Sequence, residues 1–156
     1  MRSNETGIGD TAGAGLATAV DTLLDANLAP LTDDGVTELM RSVETSKRRL
    51  AALEHRLVIE VVERSIPQRA GVRDAVRFLE QALRLSHREA FGRMKAAQQF
   101  GIWHDITGQD LEPLLAYTAK IQAAGEISPE HARAIGNIMH RPRTPSRVQT
   151  ATPPSK

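Results

Sequence analysis

The stretch LTDDGVTELMRSVETSKRRLAALEHRLVIEVVERS, residues 31–65, decides the fold. Thr32 supplies the hydroxyl of a helix N-cap, and Asp33 and Asp34 place negative charge at the positive end of the helix dipole. Beyond them Val36, Val43, Leu50 and Leu57 recur every seven residues, and Leu39 and Leu53 form a second set interrupted by Ser46. That spacing predicts one long helix to about Ser65, with an apolar heptad seam over residues 36–57. The run Leu57 to Val62 is rich in β-branched residues and alone would fit a strand. Unbroken helical periodicity upstream, with no turn residue before the run, favours a buried helix end.

Outward from this helix the remaining elements are also helical. Upstream, Pro30 closes a short helix from Leu16 to Asn27, and the Gly-, Thr- and Asn-rich residues 1–15 are expected to be disordered. Within them GIGDTA has the G-x-G-x-x-A spacing of a dinucleotide fingerprint, which works only after a strand, and no strand precedes it. Downstream, Pro67 and Gly71 punctuate the chain before a helix over about 72–84 that buries Val76, Leu79 and Leu83. Ser86 with Glu89 forms a capping box opening the next helix, which buries Ala90, Phe91, Met94 and Ala97. Residues 101–110 read as a loop, a further helix starts near Leu111 and ends at Gly125, and Ser128-Pro129-Glu130 opens a last helix to about His140. The tail, residues 141–156, holds four of the eight prolines and no acidic side chain, and is expected to be disordered. The expected fold is therefore all-α: an irregular helical bundle over residues 16–140 with one long N-terminal helix, helix-turn-helix-like hairpins and disordered termini.

Composition narrows the functional classes. The 156 residues suit one domain. The five aromatics, Phe78, Phe91, Phe100, Trp103 and Tyr117, fall close together, so the best-packed core is expected there. With no cysteine, disulfides, thiolate metal sites and cysteine nucleophiles are excluded. The N-terminus lacks the basic-then-apolar order of a signal peptide, and no apolar run approaches membrane-spanning length, so the cytoplasm is the expected location. No pair of the histidines 55, 87, 104, 131 and 140 has the spacing that sets two ligands on one helix face; all five are expected at the surface or in caps. No catalytic residue, metal or cofactor is assigned.

Charge is the sharper signal. Residues 1–46 carry a net −6, residues 47–99 a net +6, residues 100–140 a net −3 and the tail a net +4. Such segregation fits either a mixed, solvated helix surface or an anion-binding face. Residues 74–97 have the layout of a helix-turn-helix, although Arg84 stands where the turn usually has glycine and Glu80 where a small residue is usual. Lys47, Arg48, Arg49, Arg84, Arg88, Arg93 and Lys95 are the candidate nucleic-acid contacts; Glu80 with Arg84 and Glu89 with Arg93 also have the spacing to pair along their own helices.

Three segments, residues 31–64, AGVRDAVRFLEQALRLSHREAFGRMKAAQQF (70–100) and AAGEISPEHARAI (123–135), resemble the 13E12 repeat family across residues 31–139. The most specific pieces are LRLSHREAFGR and AAGEISPEHARAI. The resemblance implies a helical domain of unknown function, often followed by an HNH endonuclease module, with an association with mobile DNA. The nuclease's metal-binding His and Asn would lie beyond the C-terminus, so a non-enzymatic, truncated member is expected. Its role would be weak, non-specific DNA binding. The alternatives are a helical interaction module, pairing through the 36–57 seam with itself or a full-length relative, and a remnant without a selected role.

Overall fold

The computed structural model describes residues 6–139. The expected disorder of residues 141–156, and of residues 1–5, lies outside that range, as does His140. The chain is all-α apart from one two-strand ribbon among the described residues. It divides into two compact units, one up to Ser42 and one from Val43 onward.

The first unit holds α1 (Thr6–Leu24) and the beginning of α2 (Asp33–Glu63). Helix starts at Thr6, ten residues before the expected Leu16, so residues 6–15 are not disordered as the glycines implied. No proline interrupts the segment, and its alanines favour helix strongly enough to offset four glycines. Thr18 and Thr22 help by donating to the carbonyls four residues back, at 2.9 and 2.8 Å. Leu16, Val20 and Leu23 stay exposed. Thr32 Oγ1 accepts from the amide of Gly35 at 3.1 Å, the cap that starts α2.

In the second unit α2 runs to Glu63 as one helix, and the β-branched run stays helical because Val58 and Ile59 are buried. A single turn, α3 (Ile66–Arg69), follows. Next come α4 (Ala75–Leu83), capped by Asp74 accepting from Arg77 N at 2.9 Å, and α5 (His87–Phe100), capped by Ser86 accepting from Glu89 N at 3.2 Å. Arg84 closes α4 in the left-handed region (φ 54°), the conformation glycine would take more cheaply.

Residues 101–111 depart from the expected loop. Trp103–His104 (β1) pairs antiparallel with Asp110–Leu111 (β2). Asp105 Oδ1 accepts from the amides of Thr107 and Gln109 and from the Thr107 hydroxyl, fixing the turn between them. Leu111 is therefore a strand residue. Pro113 disfavours helix at the residue before it, and α6 begins only at Ala116, ending at Ala123. Gly125 takes the left-handed position after it (φ 82°), and α7 (Pro129–Met139) completes the described chain.

The core is built on small residues. One cluster joins Val58, Ile59, Leu79, Ala90 and Ala97, with Val76, Leu85, Met94 and Trp103 against it. A second joins Ala96, Phe100 and Ala132, with Leu115, Ala119 and Ile127. The aromatic stretch does not form the core as a block, because Phe91 and Tyr117 are exposed. His55 corrects another expectation. It is buried, 5% exposed, and its Nε2 meets Gln122 Oε1 at 3.2 Å while its ring tilts against Phe100. His55 lies three and four residues before Val58 and Ile59, so it shares the face of α2 that packs inward.

Candidate functional site

Of the seven candidate cations, four are engaged within the protein. Lys47 and Arg48 pair with Glu44, each at 3.2 Å. The Nη1 of Arg48 also donates to the carbonyls of Gly125 and Glu126, at 3.3 and 3.4 Å, so this side chain ties α2 to the turn after α6. The turn comes close because Gly125 has no side chain; a Cβ there would sit 2.8 Å from Thr45 Cγ2. Arg93 bridges Glu54 on α2 and, at 2.8 Å, Glu89 on its own helix. Burial pushes the Glu54 carboxyl up from its usual range, and the Arg93 charge opposes that shift. Lys95 Nζ donates to Asn137 Oδ1 on α7 at 2.8 Å.

Arg49, Arg84 and Arg88 have no charged or hydrogen-bonded side-chain partner among the described residues. Glu80 does not pair with Arg84. It takes Arg77 and His87 instead, at 2.8 and 2.6 Å, which holds its carboxyl below the usual range. The α4–α5 hairpin thus carries Arg84 and Arg88, neither with a partner among the described residues, on either side of its Ser86 cap.

Sequence reasoning missed a groove between α5 and α7, of about 420 Å³. Arg88, Phe91, Lys95 and Gln99 come from α5, Arg133 and Asn137 from α7. The helices meet closely at Gly136, where an added Cβ would lie 2.9 Å from Cδ of Gln99 and closer still to its Oε1. Gln99 is 3% exposed, and its Nε2 is buried with no hydrogen-bond partner. A buried donor left unpaired costs about 1–3 kcal/mol, and most proteins avoid it. The signal was present in part: Arg88 and Lys95 are seven apart on one helix face, and Arg133 and Asn137 four apart on another.

His104 is the other polar cluster. Its amide and Nδ1 both meet the Glu63 carboxylate, at 2.8 and 2.7 Å, and Nε2 lies 3.3 Å from Asp110 Oδ1. The hydrogen bond to Glu63 raises the imidazole above its ordinary value. The arrangement fastens the β-ribbon to the end of α2. Among the described residues no three His, Asp or Glu side chains converge as metal ligands.

The last exposed feature is apolar. Val43, Leu50, Leu53 and Leu57 are 41, 39, 43 and 57% exposed, while Arg48, His55 and Ile59 on the opposite side of α2 are packed or engaged. The heptad seam of the second unit therefore faces away from that unit's own core.

Comparison places this helical unit. The domain of unknown function DUF222 matches residues 37–152, which include α2 from its second turn through α7. The chain belongs to the DUF222 family. The match begins six residues after the expected start at 31 and continues past 139 into the proline-rich tail. Among DUF222 relatives, an uncharacterized protein of Mycobacterium tuberculosis (strain CDC 1551 / Oshkosh) is 33% identical over 128 residues, covering 82% of this chain and 30% of its own. A second from the same strain is 30% identical over 126 residues, 81% of this chain and 28% of its own. One from Mycobacterium bovis is 29% identical over 115 residues, 72% of this chain and 25% of its own. This DUF222 chain spans less than a third of the length of those relatives. No solved structure matches it. Among the described residues no helix is long and apolar enough to cross a membrane.

Proposed function

We propose that this DUF222 domain is a non-enzymatic assembly module that pairs through α2 with a second copy of the same helix, from another molecule of this chain or from a longer relative. One observation carries the proposal: Val43, Leu50, Leu53 and Leu57 form a regular apolar stripe on a helix whose other side already fills the core. Burying such a stripe against a like stripe gives the knobs-into-holes packing of a two-helix seam. Covering the exposed part of each leucine, 39–57% of its surface, stabilises by roughly 1 kcal/mol. In the setting implied by the 13E12 resemblance, where a nuclease module often follows, the domain would bring copies together and leave hydrolysis to other segments.

Light scattering across a dilution series tests this. A dimer at micromolar concentration that Leu50→Glu with Leu53→Glu converts to a folded monomer, with helical circular dichroism retained, is the expected result. A strict monomer at every concentration would sink the proposal.

A second reading is favoured by the free Arg84 and Arg88 at the tight turn of the α4–α5 hairpin. It makes the domain a weak, non-specific nucleic-acid binder through phosphate contacts. Each such contact adds about 0.9 to the slope of log affinity against log salt on duplex DNA. Replacing Arg84 and Arg88 should lower the slope by about 2; an unchanged slope counts against this reading.

A further inference from the structure

Beyond Arg88, the α5–α7 groove holds features that the α2 stripe and the hairpin cations leave unexplained. Gln99, almost wholly buried, offers an amide donor with no acceptor. Arg88 and Arg133 stand on opposite walls with no hydrogen bond or ion pair among the described residues, the Arg133 charge reaching Glu54 only at longer range, and Lys95 on the α5 wall meets the neutral Asn137. The one carboxylate lining the groove, Glu89, is already paired with Arg93, so the local balance is cationic. Phe91 completes the lining, 56% exposed, with the His87 ring stacked beside it at 6.3 Å between centroids.

Cations on both walls select an anion, an exposed aromatic face selects a planar ring, and an orphan amide N–H selects an acceptor oxygen. We propose that this groove is a binding site for a nucleotide unit: the ring stacks on Phe91, the phosphate lies between Arg88 and Arg133 with Lys95 in reach, and Gln99 Nε2 donates to an oxygen of the ligand. Size and stacking decide between forms of nucleic acid. A 420 Å³ groove is of the order that encloses one small organic ligand. Phe91 can take only a base that has left its neighbours, as bases in single strands do. The occupant is a free nucleotide or one unit of a single strand, not a duplex. This inference is separate from pairing through α2, and it deepens the nucleic-acid reading by naming a different form of ligand and a surface that shares only Arg88 with the hairpin.

Fluorescence anisotropy of a labelled oligothymidylate with the full chain at low salt tests it. The strand should bind, unlabelled AMP should displace it, and a duplex of equal length should bind at least about tenfold more weakly. Arg133→Ala and Phe91→Ala should each weaken binding about tenfold or more. Gln99→Met, which keeps the length and removes the donor, should weaken it about tenfold while the melting temperature stays level or rises. Arg69→Ala, a cation removed outside the groove, should change it less than about twofold. No binding at low salt, indifference to the groove variants, or equal binding of duplex overturns the proposal. Displacement by inorganic phosphate as effective as by AMP also overturns it, since no ring would then be held, and so does equal displacement by polyglutamate. Duplex binding that depends on Arg84 but ignores Arg133, Phe91 and Gln99 would keep the hairpin reading and remove this one.

Discussion

Arg48 separates a structural cation from a nucleic-acid contact, and Arg48→Met is the perturbation that tells them apart. Methionine keeps the aliphatic stem packed and removes the guanidinium. Three interactions are lost. The two hydrogen bonds to the carbonyls of Gly125 and Glu126 are long, at 3.3 and 3.4 Å, so each contributes at the low end of the usual range, about 0.5–1 kcal/mol. The pair with Glu44 lies on a largely solvated helix surface, where such i, i+4 pairs give about 0.3–0.5 kcal/mol. The sum is about 1.5–2.5 kcal/mol. For a chain near this size each kcal/mol moves the melting temperature by about 3–4 °C, so the variant should melt roughly 5–10 °C lower. Differential scanning calorimetry reads that shift. Arg49→Ala, whose guanidinium has no partner among the described residues, should stay within about 0.5 kcal/mol of the parent. If Arg48 instead met phosphate, the variant would keep its melting temperature and lose about 0.9 of salt slope, a result that refutes the clamp.

Three further outcomes are expected. Burial holds the His55 imidazole below its ordinary 6.5, so the unfolded chain takes up its proton first. The stability His55 contributes is present above pH 6.5 and lost as pH falls through that value towards the depressed folded one. A urea midpoint that drops between about pH 7 and 5.5, and does not drop in His55→Leu, checks this. His104, raised by Glu63, acts in the opposite sense: its contribution is present below pH 6.5 and fades as pH rises through the higher folded value, so Glu63→Gln should remove stability at pH 6 and little at pH 8.5. Arg93→Met leaves the half-buried Glu54 carboxylate without its partner and should lower stability by about 1–2 kcal/mol, of which Glu54→Gln added to it restores at least half in denaturant titration.

How much of this was legible beforehand differs from element to element. The caps Thr32 and Ser86 and the left-handed Gly125 follow from local chemistry, so the helix starts after the two caps and the helix end before Gly125 appear close to where sequence places them. Residues 6–15 were misjudged because glycine count was weighed over alanine content and the absence of proline. The β-ribbon escaped because the Asp105 turn, although local, joins strands of only two residues each, too short for an alternating pattern to register. On α2 the heptad pattern is conspicuous because its leucines are large, yet the inward face is marked by Arg48, His55, Val58 and Ile59, a mixed set that periodicity alone does not single out. The seven cations were visible one by one, but the partners Gly125, Glu54 and Asn137 of Arg48, Arg93 and Lys95 lie 39 to 77 residues away, beyond any local pattern.

The alanines at the helix contacts have a consequence for mutational tolerance. Ala90, Ala97 and Ala132 are wholly enclosed, so backbone spacing there is set by a single methyl group. Shaving a large side chain elsewhere leaves a void that neighbours can partly refill, whereas enlarging a methyl drives two rods apart along their whole line of contact. A saturation scan of this chain should therefore rank its smallest residues among the least replaceable, with valine at Ala97 more damaging than alanine at Leu79.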